Sequence, residues 1–317
     1  MTKITQYIAE AAGKTQFSIE IIPPVKGADI NTLMTNIEPL MEFKPPFIEV
    51  TYHREEYIEK NINGIIEKIP TRKRPGTVGI CSALMQRFKV DAVPHVICGG
   101  FTKEETEDFL YDLHYLGIDN LLILRGDPIK GSINFTPEKG GHAYASELLE
   151  QVVNMNKGIL LHEETEASPT NFCTGVAAYP EKHFEAIDFE TDFGFLKKKI
   201  DAGADYIVTQ MFFDNQKYFD FVKKCRENNI HVPIIPGLKP LATIKQLTVL
   251  PEIFHLSLPE ALTKAVKNCK TDKDVKEVGI EWCIAQSKEL IVAQAPILHF
   301  YTMSRSESTK RVAEAVF

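Results

Sequence analysis

The chain has 317 residues, of which 44% are hydrophobic and 25% are charged, and its formal net charge is −7. This composition is typical of a globular protein that buries a sizeable core, and it excludes a mostly disordered chain. Because the charge is negative overall and no dense run of Lys and Arg dominates it, we expect neither nucleic acid nor an anionic membrane surface as a partner. Small molecules are the expected ligands.

The sequence also lacks the patterns of export, membrane insertion and metal binding. It contains no apolar run long enough to cross a membrane, and its N-terminal residues do not form a secretory signal pattern. The 6 cysteines are scattered without a Cys-x-x-Cys pair, so neither a zinc site nor a disulfide framework is expected. These features predict a cytoplasmic protein without a bound metal.

Short β-rich runs alternate with amphipathic segments along the chain. The runs are almost continuously apolar, as strands covered by helices must be, and therefore predict a parallel sheet. In chain order they occupy residues 17–22, 47–52, 93–98, 120–126, 174–179, 206–212, 232–237 and 297–302.

The segments between these runs have helical spacing. Between the third and fourth runs, Thr102 and Glu105 have the spacing of a capping box, and Gly117 supplies a stop. Strands joined by helices in this way close most economically into a single α/β domain, a (β/α)8 TIM barrel, because right-handed crossovers return the chain to the same side. A doubly wound open sheet is the alternative, although no Gly-rich phosphate fingerprint occurs. We predict one catalytic barrel over residues 1–317, with residues 1–15 as an N-terminal helical extension.

One connection, over residues 127–173, is much longer than its neighbours. It begins with several Gly and Pro residues and later contains the acidic segment HEETEASPTNF, residues 162–172. Long connections inside a compact domain are usually functional loops or lids. We expect a loop, a helix and a segment that could act as a lid.

Polar side chains stand at the ends of the predicted strands, where a barrel forms its site. Glu20 lies in an apolar run, so it is either an acid kept protonated near neutral pH or the partner of a core cation. Asp127 is either a ligand-binding carboxylate or the cap of a turn. Gln210 either orients a substrate or fills the barrel interior, and His95 is either a core histidine or a functional one.

Short motifs recur at or near these strand ends, in the order FSIEIIPP, VTY, PHVIC, LRGDP, YAS, AAYPEKH, AGADYIVTQMFFD, IIPG and HFYT. Together they resemble the catalytic barrel of methylenetetrahydrofolate reductases over nearly the whole chain. The resemblance implies a (β/α)8 barrel that holds FAD without a covalent bond and accepts hydride from NADH or NADPH. It further implies ping-pong transfer of that hydride to 5,10-methylenetetrahydrofolate, which gives 5-methyltetrahydrofolate.

The resemblance also implies roles for individual residues. Glu20 looks like the acid that protonates the folate nitrogen, and Asp127 looks like a carboxylate near the flavin that stabilises a cationic folate intermediate. Gln210 resembles an amide that contacts both folate and nicotinamide. Further positions that match FAD contacts are Thr51, Tyr52, His95, Arg125, Gly126, Tyr144, Ala145, Tyr179, His183, Asp192, Lys198 and Lys199. Further positions that match folate contacts are Gln246 and Arg305.

Some positions depart from the family pattern. His53 and Arg54 stand where Gly-Ala is frequent, Phe195 stands where Asn is common, and Leu250 replaces an aromatic residue. Family members are commonly dimers or tetramers, so a homo-oligomer is expected.

Two other functions stay open at this point. The first is a flavin-independent lyase that forms a Schiff base through Lys239, which follows the seventh strand. The second is a barrel that binds folate or flavin without turnover. A yellow purified protein would count against the lyase.

Overall fold

The computed structural model describes residues 1–129, 131–132, 134–162 and 167–317. Its centre is a closed barrel of parallel strands in the spatial order β1, β10, β9, β8, β7, β6, β5, β2, while β3 and β4 form a separate antiparallel hairpin. The strands are β1 Gln16–Ile21, β2 Phe47–Val50, β3 Glu56–Ile62, β4 Ile65–Thr71, β5 Asp91–Ile97, β6 Asn120–Leu124, β7 Cys173–Ala178, β8 Tyr206–Met211, β9 Ile234–Leu238 and β10 Ile297–Tyr301. The prediction of an α/β protein with a (β/α)8 barrel is confirmed.

Helices surround the barrel and connect its strands. They are α1 Ile4–Glu10, α2 Ile30–Ile37, α3 Thr77–Phe88, α4 Lys103–Tyr115, α5 Ala145–Met155, α6 Phe189–Asp201, α7 Asn215–Glu227, α8 Gln246–Phe254, α9 Glu260–Lys267, α10 Asp272–Val292 and α11 Glu307–Val316. The capping box predicted for α4 is present, since Thr102 Oγ1 accepts from Glu105 N at 3.1 Å and Glu105 Oε2 accepts from Thr102 N at 2.8 Å. Within the described residues, no helix combines the length and apolar character needed to span a membrane.

The β3–β4 hairpin was missed in the sequence, although the signal for it is present. Its turn is Asn63-Gly64, and both residues have positive φ, at 55° and 86°. Asn-Gly between alternating residues is the strongest short-range signal for a two-residue hairpin turn. The expected helix in the long connection is α5, whereas residues 163–166 of the acidic segment lie outside the described residues, so the lid stays a prediction.

Packed apolar side chains fill the N-terminal half of the barrel interior. Phe47, Tyr206 and Ile297 come from different strands and form one buried cluster together with Ile4 of α1. The amide N of Ile4 donates to Asn120 Oδ1 at 3.0 Å, which fixes α1 at this end of the barrel. The polar strand ends are therefore confined to the opposite, C-terminal half.

Gly175 in β7 gives a test of this packing. A Cβ at this position would lie 2.2 Å from Cζ of Tyr206, whose hydroxyl donates to Leu121 O at 3.0 Å and cannot easily move. We expect Gly175→Ala to lower the free energy of unfolding by roughly 1–3 kcal/mol, the usual cost of overpacking a core. Urea unfolding measures this. The control is Gly194→Ala in α6, where a Cβ meets nothing within 4 Å, and a gain of roughly 0.5–1 kcal/mol is expected there. Equal effects of the two substitutions would contradict the packing described.

Candidate active site

The predicted site residues gather at the C-terminal rim of the barrel, where barrel enzymes carry their chemistry. The strand order places β2, β5, β6 and β7 next to one another on one side of the rim, and β8, β9, β10 and β1 on the other. The first side carries Thr51, Tyr52, His95, Arg125, Gly126, Asp127 and Tyr179, and the second carries Glu20, Gln210, Lys239 and Arg305. The two predicted groups of contacts therefore face each other across one mouth.

Two carboxyl groups and two imidazoles form a compact cluster inside the barrel below this mouth. His95 Nε2 lies 3.5 Å from Glu20 Oε2 and 3.4 Å from Glu49 Oε2. His299 Nε2 lies 3.2 Å from Glu49 Oε2, and His299 Nδ1 is 2.8 Å from Ser18 Oγ. All of these groups except Glu20 are buried, and the side chain of Glu20 is 12% exposed.

The pKa values of the two carboxyl groups in this cluster are shifted in opposite directions. Burial opposes ionisation of Glu49, but His299 and His95 overcome it and lower the pKa of Glu49 to about 2. Burial alone would lower the pKa of His299, but the charge of Glu49 raises it. Burial raises the pKa of Glu20, against the attraction of His95 and His299 and with support from the negative charge of Glu49. The cluster therefore contains an ion pair, Glu49 with His299, beside Glu20, whose protonated form burial favours.

The sequence analysis missed Glu49 and His299. Each is a titratable residue inside a run of apolar neighbours, FIEV and ILHFY, which is the same signal that singled out Glu20. The signal was present, but the partners lie on different strands and only barrel closure brings them together.

Lys239 and Tyr301 flank this cluster. Lys239 Nζ donates to Tyr301 O at 3.3 Å, and Tyr301 Oη donates to Thr209 O at 2.6 Å. Burial lowers the pKa of Lys239 to about 8, with Glu20 acting in the opposite direction and Arg305 in the same one. A buried amine of this kind is able to act as a nucleophile, which is the property that the lyase alternative requires.

On the other side of the mouth, predicted FAD residues in the loops after β6 and β7 form several contacts. Arg125 Nη1 forms an ion pair with Glu185 Oε2 at 2.5 Å. The rings of Tyr179 and His183 lie 4.8 Å apart, and His183 N donates to Asp192 Oδ2 at 3.0 Å.

Asp127 is exposed at the same edge. Burial raises the pKa of Tyr179, and the charge of Asp127 adds to that rise, so this carboxylate lies close to the Tyr179 hydroxyl. Gly126 has φ +86°, and a Cβ there would lie 3.3 Å from Ile97 Cδ1, so the turn between Arg125 and Asp127 needs a glycine.

Helix α6 contributes two of the predicted lysines in different ways. Lys199 is directed inward, where its Nζ donates to Ala177 O at 2.5 Å and burial lowers its pKa to about 8. Lys198 lies on the surface with its Nζ 5.4 Å from the ring of Phe195, on which the ring of Tyr144 stacks at 6.3 Å. Phe195, which departs from the family pattern, therefore contacts both Tyr144 and Lys198. Ala145, the next predicted FAD residue, is the first residue of α5.

Unpaired donors at this edge suit an anionic ligand. Arg54 pairs with Glu138 through Nη2 at 2.8 Å, but its Nε and Nη1 are buried without a hydrogen-bond partner among the described residues. Buried N–H groups of this kind cost free energy unless a ligand satisfies them. With Arg125 and Lys199, Arg54 offers cationic donors for a phosphate-containing group.

Two of the predicted substrate contacts, Gln210 and Gln246, form hydrogen bonds with nearby backbone amides in this structure. Gln246 Oε1 accepts from Ala242 N at 2.6 Å and Thr243 N at 3.1 Å, at the start of α8, and Gln210 Oε1 accepts from Met211 N at 2.9 Å. Each amide nitrogen remains as a donor. The substrate role of both glutamines stays a prediction.

A separate cavity of about 750 Å³ lies beside the loop that carries His183. Its lining does not include Glu20, Asp127 or Gln210. It is lined by Pro180, Glu181, Lys182, Phe184, Phe189, Lys217, Asp220, Phe221, Lys224 and His255.

A parallel (β/α)8 barrel with a buried acid, an internal ion pair and cationic donors at its C-terminal rim defines a barrel enzyme site. The family model for methylenetetrahydrofolate reductase matches residues 3–316. The chain belongs to the methylenetetrahydrofolate reductase family, and the resemblance found in the sequence is confirmed.

Individual relatives agree with this assignment. The chain is 30% identical over 314 residues to 5,10-methylenetetrahydrofolate reductase of Escherichia coli (strain K12), covering 99% of this chain and 94% of that protein. It is 30% identical over 303 residues to methylenetetrahydrofolate reductase 1 of Schizosaccharomyces pombe, covering 95% of this chain and 46% of the relative. It is 29% identical over 306 residues to methylenetetrahydrofolate reductase (NADH) 1 of Arabidopsis thaliana, covering 93% and 47%. The chain thus spans about half the length of these two eukaryotic relatives.

The low pKa of Glu49 predicts how its contribution to stability changes with pH. A carboxyl with a depressed pKa stabilises the fold above its ordinary pKa of 4.5, and this contribution is lost as pH falls towards about 2. We therefore expect Glu49→Gln to lower the free energy of unfolding more at pH 6 than at pH 3. Urea unfolding at both pH values measures this difference.

Asp91→Asn is the control for that experiment. Burial raises the pKa of Asp91, so its replacement should not cost more at pH 6 than at pH 3. A cost of Glu49→Gln that does not change between the two pH values would mean that Glu49 is not held as a carboxylate.

Proposed function

We propose that this protein is an oxidoreductase that reduces 5,10-methylenetetrahydrofolate to 5-methyltetrahydrofolate, with non-covalently bound FAD and with NADH or NADPH as reductant in a ping-pong cycle. Family membership supports the substrate and the reaction. The observation that carries the proposal is the position of Glu20 at the C-terminal mouth of the barrel, where its side chain is 12% exposed, lies 3.5 Å from His95 Nε2 and has a pKa raised by burial. We further propose that residues 1–317 form one catalytic barrel, with residues 1–15 as an extension.

The residues at the β2, β5, β6 and β7 side of the mouth suit FAD. Arg54, Arg125 and Lys199 would bind its pyrophosphate. The unpartnered Nε and Nη1 of Arg54 and the carbonyl-bound Nζ of Lys199 support this fit, whereas Arg125 would exchange its ion pair with Glu185 for the phosphate. When bound, FAD supplies a carrier that accepts hydride from one substrate and passes it to another. The remaining residues of this side that would hold it are Thr51, Tyr52, His95, Gly126, Asp127, Tyr144, Ala145, Tyr179, His183, Asp192 and Lys198.

Glu20 would deliver a proton to the folate nitrogen whose bond opens. A general acid must be protonated at the working pH, and burial raises the pKa of Glu20 in the direction that this requires. Asp127, an exposed carboxylate at the rim, would stabilise positive charge on the folate ring. Gln210 would orient the substrate through its free amide nitrogen, and Gln246 and Arg305 would contact it from the same side of the mouth.

A Schiff-base reaction at Lys239 is the second candidate function. The lowered pKa of this amine favours it. Family membership and the raised pKa of Glu20 beside the mouth favour the reductase, and the same acid disfavours a barrel that only binds its ligands.

The FAD proposal has a direct test in α6. We expect the protein to bind FAD, and Lys199→Met to weaken this binding by roughly 10- to 100-fold, the loss typical of one charge-assisted hydrogen bond. Quenching of flavin fluorescence on titration measures the affinity. Lys197→Met is the matched control, because Lys197 is exposed on the same helix.

Two results would count against this assignment. Equal affinity in both lysine variants would remove Lys199 from the FAD site. A protein that binds no FAD, but is modified at Lys239 when borohydride is added with a carbonyl compound, would favour the lyase.

Glu20→Gln separates the two halves of the cycle. The substitution keeps the size of the side chain but removes the proton that folate reduction needs, whereas hydride transfer from a nicotinamide to FAD needs no proton from β1. We expect flavin reduction within roughly tenfold of wild type and a loss of ~10²–10⁴ in folate reduction. Anaerobic stopped-flow absorbance follows each half-reaction.

The outcome decides the role of Glu20. An equal loss in both half-reactions would make Glu20 a structural residue of the barrel. No loss in either would place the proton donor elsewhere.

A further inference from the structure

The strand register brings two carboxyl groups together inside the barrel. Glu20 of β1 and Glu49 of β2 are direct partners in the parallel ladder, so their side chains leave the sheet on the same face. His95 of β5 approaches both, with its Nε2 at 3.5 Å from one carboxylate oxygen and 3.4 Å from the other. A single imidazole N–H cannot satisfy two carboxylates fully, and two carboxylates at one site resist double ionisation.

The surroundings decide which carboxyl group carries the negative charge. Glu49 is completely buried and has a second cation, since His299 Nε2 lies 3.2 Å from its Oε2. His299 is held in place by Ser18 Oγ, 2.8 Å from its Nδ1. Glu20 has no comparable second imidazole, and its side chain reaches the mouth with 12% exposure. The proton therefore belongs on Glu20, at the end of the cluster that a substrate can touch.

We infer that Glu49, held by His299, is a positioning residue whose fixed negative charge keeps Glu20 protonated for delivery of its proton to the folate substrate. The delivery step rests on the proposed function, whereas the protonation of Glu20 does not. In that step the O–H bond of Glu20 breaks, a bond between that proton and the folate nitrogen forms, and Glu20 is left as a carboxylate. The charge of Glu49 then favours return of a proton from solvent at the mouth.

Other charged groups surround Glu20. They are positive, so their effect on the pKa of Glu20 is opposite in sign to that of Glu49. His95 of β5, His299 of β10 and Lys239 after β9 all favour the ionised form of Glu20, and Glu49 of β2 opposes it. Arg305 lies near Lys239, and its charge lowers the pKa of that amine. The neutral phenols of Tyr206 and Tyr301 also face the two carboxylates.

Burial is the largest cause of the raised pKa of Glu20, and Glu49 adds to it. Because Glu49 also maintains the charge of His299, which acts on Glu20 in the opposite direction, the Glu49 variants are compared in a His299→Gln background. There, removal of the Glu49 charge must lower the pH at which Glu20 loses its proton.

Infrared spectroscopy of the protein without added folate tests the inference. A protonated carboxyl has a C=O band that a carboxylate lacks, so the difference between wild type and Glu20→Gln at pH 7 should show one protonated carboxyl. In the His299→Gln background, the titration midpoint of this band should fall by at least ~1 pH unit in Glu49→Gln, as expected for the loss of a like charge at this distance. Glu49→Asp keeps the negative charge, so its titration midpoint should lie close to the value with Glu49 intact. Asp91→Asn removes a carboxyl at the opposite end of β5 and should not move the midpoint.

The same shift should appear in the reaction. The falling limb of the pH profile for folate reduction should move to lower pH in Glu49→Gln, while the rate of flavin reduction by a nicotinamide should not acquire this dependence. At a pH above both midpoints, a shift of one unit corresponds to a tenfold smaller protonated fraction of Glu20.

Several results would overturn the inference. One is a protonated-carboxyl band that persists in Glu20→Gln at pH 7, because the proton would then reside on Glu49; this arm needs no Glu49 variant to fold. Another is an unchanged or raised midpoint in Glu49→Gln. If the midpoint shifts as expected but no folate is reduced, the proposed function fails while Glu49 still controls the protonation of Glu20.

Discussion

Closure of the barrel around β1 is the constraint on which the rest of the site depends. β1 pairs with β10 on one side and with β2 on the other, so Ser18 comes into register with His299, and Glu20 with Glu49. None of these residues is near its partner in sequence. In a sheet opened between β1 and β10, Ser18 and His299 would lie at opposite edges. The closure places two carboxyl groups and two imidazoles where water is largely excluded, and this exclusion makes their mutual charges effective.

The division of the interior into two halves follows from the same strands. Residues such as Phe47 and Ile297 begin their strands with apolar side chains that fill the N-terminal half, together with Ile4 of α1. Two residues further along each strand, Glu49 and His299 occupy the same interior face. In each of these strands an apolar residue is followed two positions later by a titratable one. Because alternate side chains of a strand share a face, this pattern places a polar cluster directly above packed apolar side chains.

The sequence predicts most of the fold because its signals are local. Continuous apolar runs identify the eight barrel strands, and the capping box of Thr102 and Glu105 identifies α4. The β3–β4 hairpin was missed because its few apolar residues are mixed with charged ones and most of them are exposed, although Asn63-Gly64 marks its turn. The site is harder to predict. Glu20 was identified from its apolar neighbours, but the partners that fix its protonation, Glu49 and His299, lie on other strands, and no local pattern states which strand adjoins which.

The filled N-terminal half has a consequence for how the cluster exchanges protons. Ile4 and the side chains above it close that end of the barrel, so solvent reaches Glu20 through the C-terminal mouth. A ligand seated in the mouth covers this route. The number of protons in the cluster would therefore be set before the ligand enters, and solvent would add none while it is bound. The barrel would then have a single acidic equivalent, on Glu20, to give to each ligand.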